Sequence, residues 1–222
     1  MILYVRAAAC VPSFAHRERL RRRVKPLDNG KVTNVLIVGV GGQGTILASR
    51  ILSYLGHRSG FDVKVSEIHG MAQRGGSVVT QVRMGEKVYS PLIGVGQADI
   101  ILAFERLEAL RWIHYLKKDG TIIINDQAIE PVPVIMGLME YPKGIVDRIR
   151  GRVRDTIAID ALSLARKHGN DKASNVVLMG VLARKMGFSK EDCTNALEAK
   201  VPPKFLELNK KAFDEGWNAE LA

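Results

Sequence analysis

The chain has 222 residues with 33 Lys and Arg against 23 Asp and Glu, a net charge of +10, and is 46% hydrophobic and 25% charged. That is ordinary globular composition, long enough to bury a core unaided, and it excludes disordered, collagenous and coiled-coil classes. No apolar run of about 18 residues exists, which excludes a membrane-spanning helix, and Cys10 and Cys193 are too few for a zinc cage or an iron–sulfur ligand set.

Half of the charge excess sits at the start, where residues 1–30 hold seven Lys and Arg against Glu18 and Asp28. This stretch lacks apolar periodicity and reads as a basic leader outside the fold, with one domain over 31–222. Its Arg-rich, acid-poor makeup also suits an organelle transit peptide. No nucleic-acid-binding motif accompanies it, so neither nucleic acid nor membrane is expected as a partner. Two thiols are compatible with the cytoplasm, the expected location.

Val32–Val38 is a β-branched run ending at Gly39 and predicts a buried first strand. Gln43–Leu55 sets Leu47, Ala48, Ile51, Leu52 and Leu55 at helical spacing, stopped by Gly56. Phe61–Ser66 predicts a second strand and Ile68–Gly76 a long polar loop. Ser77–Arg83 and Lys87–Ser90, joined through Met84-Gly85-Glu86, predict a hairpin. Ala98–Phe104 is a strand, Glu105–Lys118 a helix closed by Gly120, and Thr121–Asn125 the next strand. Pro131, Pro133 and Pro142 make Val132–Tyr141 a connection or an edge strand. Thr156–Ile159 is the last strand. Ala161–His168, Asn175–Met186, Ser189–Ala199 and Lys204–Trp217 read as helices, with Ser189 and Asp192 as a capping box. This alternation predicts an α/β fold: a three-layer α/β/α, Rossmann-like arrangement with a mostly parallel sheet, one antiparallel hairpin and a helical C-terminal part.

Gly39-Val40-Gly41-Gly42-Gln43-Gly44 has the form G-x-G-x-x-G between a strand and a helix. Glycines permit a tight turn and close backbone approach, and the helix N-terminus offers free N–H groups to an anion. Gly44 precedes Thr45 rather than Lys, so the triphosphate-loop lysine is missing. A dinucleotide site also needs an acidic residue near the end of the second strand, and Glu67 lies 23 residues after Gly44. These features leave open a free-standing NAD(P)- or flavin-dependent oxidoreductase, and a glycine turn that only packs helix on strand.

Ser66–Ser77 gathers Glu67, His69, Gln73 and Arg74 beside Gly75, Gly76 and Ser77. The planar fork of Arg74 suits phosphate or carboxylate in a way that Lys does not reproduce; a solvated loop with internally paired charges is the alternative. An imidazole is the side chain best suited to proton transfer at neutral pH, yet no nucleophile is visible beside His69. Neither His69 nor Arg74 is therefore assigned a catalytic step. Arg148, Arg150, Arg152 and Arg154 alternate and would form one basic edge if extended. Met136, Met139, Met179 and Met186 suit either an adaptable interface or a core. Leu206, Phe213 and Trp217 share one helix face, and Cys193 reads as a small core residue.

Three segments together resemble the gamma-type subunit of 2-oxoacid:ferredoxin oxidoreductases: GVGGQG at 39–44, SEIHGMAQRGGSVVTQVR at 66–83, and Asn175-Val176-Val177-Leu178-Met179-Gly180. The form SEIHGMAQRGG points to the indolepyruvate, aryl-pyruvate branch. The resemblance runs from about Val32 to the C-terminus. It implies a complex that oxidatively decarboxylates a 2-oxoacid to acyl-CoA and CO2 and reduces ferredoxin. It also implies that this chain holds no cofactor alone, and is inactive alone. An alpha subunit would carry thiamine diphosphate, Mg and iron–sulfur clusters, with coenzyme A as co-substrate. By the same resemblance, Gly39, Gly41, Gly42, Gln43 and Gly44 would face the partner's active site and receive coenzyme A. Glu67, His69, Gln73, Arg74, Gly75, Gly76, Ser77 and Asn175 would join them.

Overall fold

The most β-branched runs of the sequence become the middle of one six-stranded sheet. A computed structural model describes residues 32–70 and 75–219, so the expected leader, Gln73 and Arg74 lie outside the described residues. The strands are β1 (Thr33–Val40), β2 (Asp62–His69), β3 (Ser77–Gly85), β4 (Ala98–Ala103), β5 (Leu116–Asn125) and β6 (Asp155–Ile159). Their spatial order is β2-β3-β1-β4-β5-β6. β1, β4, β5 and β6 run parallel, and β3 alone is reversed, antiparallel to both β1 and β2.

The helices are α1 (Thr45–Arg58), α2 (Arg106–Trp112), α3 (Val132–Ile135), α4 (Ile145–Arg150), α5 (Ala161–Arg166), α6 (Ser174–Lys185), α7 (Lys190–Lys200) and α8 (Leu206–Asn218). They cover both faces of the sheet, so seven of the eight β1 residues are buried. Val35 and Ile37 pack with Leu52, Val177, Leu182 and Phe213 on one face. Leu36 and Val38 pack with Ile101, Ala109, Ile145 and Ile149 on the other. Alternate residues of one strand thus serve opposite layers, and the three-layer, mostly parallel architecture is the expected one. Among the described residues no helix is long and apolar enough to cross a membrane.

The antiparallel hairpin is present with different arms. Lys87–Ser90 forms no strand; β3 pairs with β2 instead, Ser66 opposite Gln81. Long-range bonds decide this. Asp62 at the start of β2 accepts the Val88 N–H at 3.0 Å, and the Arg83 guanidinium donates to the Ser90 and Leu92 carbonyls. The segment after Gly85 is therefore held away from the ladder.

The helix expected over Glu105–Lys118 ends at Trp112; a 3₁₀ turn follows over Ile113–Tyr115, and β5 begins at Leu116. Lys117 pairs with Asp99 of β4 at 2.5 Å. Gly120 leaves room for the Leu116 side chain, which a Cβ there would meet at 2.6 Å. Val132–Tyr141 is a connection containing α3, not an edge strand. The alternating arginines form no extended edge, because Arg148 and Arg150 belong to α4, whose Ile145 and Ile149 are buried at a spacing of one helical turn.

Several C-terminal expectations hold in detail. Ser189 caps α7, accepting the Asp192 N–H at 3.0 Å and donating its hydroxyl to the Asp192 carboxylate at 2.6 Å. Cys193 is fully buried, and burial, aided by Asp192, pushes its thiol up to about 12. α6 crosses α8 at glycines. A Cβ on Gly216 would run into the Val177 carbonyl, and one on Gly180 into the Phe213 carbonyl.

Candidate functional site

The chain leaves β1 toward β2 and β3 on one side of the sheet and returns to β4 on the other. An α/β sheet opens a crevice at such a switch point, outside the C-terminal strand ends. The first glycine turn lies there, and Gln43 sets its shape. Its Oε1 accepts the Val40 N–H at 2.8 Å, and its Nε2 donates to the Phe104 carbonyl at 2.9 Å. Gly39 leaves room for this staple, since a Cβ would stand 3.0 Å from both Gln43 Oε1 and Phe104 Cβ. Both ends of the Gln43 amide are thus engaged with backbone. Gly42 and Gly44 adopt φ of +105° and +85°, the left-handed region where a side chain is disfavoured. Gly44 provides no side-chain cap for α1; its carbonyl accepts the Leu47 N–H at 3.1 Å, so the N–H groups of Thr45 and Ile46 are left to other acceptors.

The second glycine pair lands on the first. Gly41 N–H donates to the Gly76 carbonyl at 2.8 Å, and Gly75 N–H to the Gly41 carbonyl at 3.2 Å. The two loops singled out in the sequence therefore form one surface. Gly41, Gly42, Gly44, Thr45 and His69 line a cavity of about 320 Å³ on one side of it. A second cavity of about 340 Å³ runs from Gly75, Gly76 and Ser77 to Glu105, Glu108 and Arg111.

Asn175 comes from the start of α6. Its Nδ2 donates to the Gly44 carbonyl at 3.4 Å, while its Oδ1 is buried with no hydrogen-bond partner among the described residues. A buried acceptor left so costs about 1–3 kcal/mol, which a donor on a ligand or a water recovers.

Glu67 stands apart from this group. β3 lies between β1 and β2, so Glu67 does not occupy the ribose-reading place on the strand adjacent to β1. Its Oε1 accepts the Ser49 hydroxyl at 2.9 Å, and its Oε2 lies 3.9 Å from His69 Nε2. Gly39 to Gly44, His69, Gly75 to Ser77 and Asn175 are brought together, and Glu67 is held beside them by α1.

Two buried carboxylates were missed in the sequence. Glu108 Oε2 accepts the Ser77 hydroxyl at 2.5 Å and Trp112 Nε1 at 3.3 Å, while Oε1 accepts from Arg111 at 2.8 Å. Burial raises its carboxyl above the ordinary range, against the opposing pull of Ser77 and Arg111. Glu105 Oε2 caps α2 through the Glu108 N–H at 2.9 Å; its Oε1 accepts the Ile129 N–H at 3.1 Å and the Tyr141 hydroxyl. Burial, and then Glu105, raise the Tyr141 phenol above its usual range. The available signal was Glu105 standing at the strand-to-helix switch, three residues before Glu108. Among the described residues no three His, Cys, Asp or Glu side chains gather as a metal site.

Residues 34–219 match the family described as pyruvate ferredoxin/flavodoxin oxidoreductase. The chain belongs to this family. It is 43% identical over 196 residues to the indolepyruvate oxidoreductase subunit IorB of Thermococcus kodakarensis, a match covering 85% of this chain and 96% of that one. The keto/oxoacid ferredoxin oxidoreductase gamma subunit of Geobacter sulfurreducens superposes with a TM-score of 0.62 at 26% identity, over 83% of this chain and 96% of that one. The 2-oxoglutarate:ferredoxin oxidoreductase of Magnetococcus marinus, solved with 2-oxoglutarate, coenzyme A and succinyl-CoA bound, shares the fold at a TM-score of 0.65 and 20% identity. That match covers 85% of this chain but 31% of the longer one. This member of the family is thus a subunit of an oxoacid oxidoreductase.

Proposed function

We propose that this subunit completes, with a larger alpha subunit, an indolepyruvate or aryl-pyruvate:ferredoxin oxidoreductase of the cytoplasm. The complex converts the 2-oxoacid to acyl-CoA and CO2 and reduces ferredoxin. The observation that carries this reading is the mutual hydrogen bonding of the two glycine loops at the sheet's switch point, in a chain 43% identical to a subunit named for indolepyruvate. In this reading the alpha subunit holds thiamine diphosphate, Mg and iron–sulfur clusters, which supply the carbanion and electron-transfer chemistry. This chain supplies a wall that excludes water and a seat for coenzyme A.

The residues present suit that co-substrate. Its phosphates match the uncapped first turn of α1, and its amide N–H groups match the orphaned Asn175 Oδ1. Gly42 has nothing within 4 Å of where a Cβ would stand, so the backbone there stays open to approach. Arg74, between Gly70 and Gly75 in the sequence, is assigned the forked contact to a charged group. His69 is assigned a hydrogen-bonding place on the cavity wall.

The test is reconstitution with the alpha subunit. The complex should reduce ferredoxin with indolepyruvate and coenzyme A, and the isolated chain should be colourless and inactive. Arg74→Lys keeps the charge and loses the fork. It should raise the apparent KM for coenzyme A on the order of 10- to 100-fold with assembly intact, consistent with about 1.5–3 kcal/mol for a charge-assisted pair. Full activity of Arg74→Lys at every coenzyme A concentration would overturn the assigned seat. Nicotinamide-dependent turnover by the isolated chain would overturn the reading as a whole.

A further inference from the structure

Between β5 and α4 the chain displays five large apolar side chains within eight residues. Val132, Ile135, Met136, Leu138 and Met139 are each 65–71% exposed. Single exposed apolar residues are ordinary, but a contiguous group marks a contact surface. The four methionines of ambiguous role divide cleanly. Met179 and Met186 lie in the core, whereas Met136 and Met139 face outward.

This segment is not a slack connection. Its two stems are tied to one buried carboxylate, since Glu105 Oε1 accepts the Ile129 N–H before the segment and the Tyr141 hydroxyl after it. Within it, Ile135 N–H donates to the Pro131 carbonyl at 3.1 Å, and Leu138 and Met139 N–H to the Pro133 carbonyl at 2.9 and 3.2 Å. The apolar side chains are therefore displayed on a self-bonded turn, ordered before any partner arrives, which lowers the entropy lost on association.

Its position names the neighbour. Pro131, Val132 and Pro133 line the same cavity of about 340 Å³ as Gly75, Gly76 and Ser77, so the display continues the rim of the glycine-loop surface. We propose that Val132–Met139 is a preorganised docking loop for an apolar surface of the larger subunit. This rests on the function proposed above, in which that subunit covers the glycine loops and so reaches the docking loop across one shared cavity. In the Magnetococcus marinus relative the matched fold is 31% of a longer chain. Residues 131–139 carry no charge, which selects an apolar contact rather than an ionic one. The two methionines add the adaptability of an unbranched side chain.

The test compares the full chain and its variants for association with the alpha subunit. Leu138→Asp/Met139→Asp should weaken association on the order of 100-fold, the scale of losing central apolar contacts, with the melting temperature of the isolated chain unchanged. Leu92→Asp, an exposed apolar site away from this loop, should bind as wild type. Tyr141→Phe, which frees one stem while leaving the display intact, should weaken association by a smaller factor. Wild-type affinity in the double variant overturns the docking loop. Self-association of the isolated chain, abolished by the double variant, overturns it in favour of a second copy. Failure of the wild-type chain to bind the alpha subunit at all overturns instead the functional reading on which it rests.

Discussion

Glu108 sits where a carboxylate is costly and useful at once, buried on α2 and holding the Ser77 hydroxyl beside the second glycine pair. Burial raises its carboxyl above the ordinary 4.5, so the folded chain keeps this proton more readily than the unfolded one. Between the ordinary and the raised value the native state binds more protons, and stability from this group falls as pH rises through that window. Glu108→Gln removes the titration. Stability of wild type minus variant, from denaturant unfolding at a series of pH values, should therefore decline as pH rises above the ordinary value and then level off. A difference that is constant, or that grows with pH, would show that Arg111 outweighs burial.

Neither this role nor that of Gln43 was legible in the sequence. Each depends on a partner supplied by the fold: Ser77 lies 31 positions from Glu108, and Phe104 lies 61 from Gln43. A glutamine inside a glycine turn reads as a ligand contact until its staple is seen. Asn175 was legible as a motif, but its orphaned oxygen was not.

At the scale of elements, the parts written in local pattern were legible. β1 and β4 announce themselves as apolar runs, and α6, α7 and α8 as helical spacing, with the Ser189 capping box marking the start of α7. The two glycine loops were legible as a pair because glycine has few reasons to recur so closely. The pairing of β3 was not, because Lys87–Ser90 and β2 are both plausible arms and bonds from Asp62 and Arg83 decide between them. The first half of β5 is polar and is held in the sheet by Lys117 and Asp99. The α6–α8 crossing is an element-scale feature with a sharp consequence. An exposed helical Gly→Ala usually gains about 0.4–1 kcal/mol. At Gly216 the added methyl meets the Val177 carbonyl, which belongs to rigid helix backbone. Gly216→Ala should instead lose about 1–3 kcal/mol as the helices part, and equilibrium denaturation gives the sign directly. A stabilised variant would mean that the helices shift freely at this crossing.

Across the described residues, the C-terminal end of the sheet collects the glycine turns, Asn175, the buried carboxylates and the apolar docking loop. The family match spans 34–219, and the first strand starts at Thr33. The Thermococcus kodakarensis relative is covered over 96% of its length by 85% of this chain. Residues 1–28 hold seven Lys and Arg with Glu18 and Asp28, so their removal takes away +5 of the net +10. The shortened chain should therefore keep the melting temperature and equilibrium affinity for the alpha subunit of the full chain, while eluting earlier from a cation exchanger. If the leader steers association through long-range attraction, its loss should slow the on-rate at low salt and leave it nearly unchanged near 0.15 M, where the screening length is about 8 Å. A lowered melting temperature would place the leader within the fold. Weakened affinity that persists at high salt would place it within the interface.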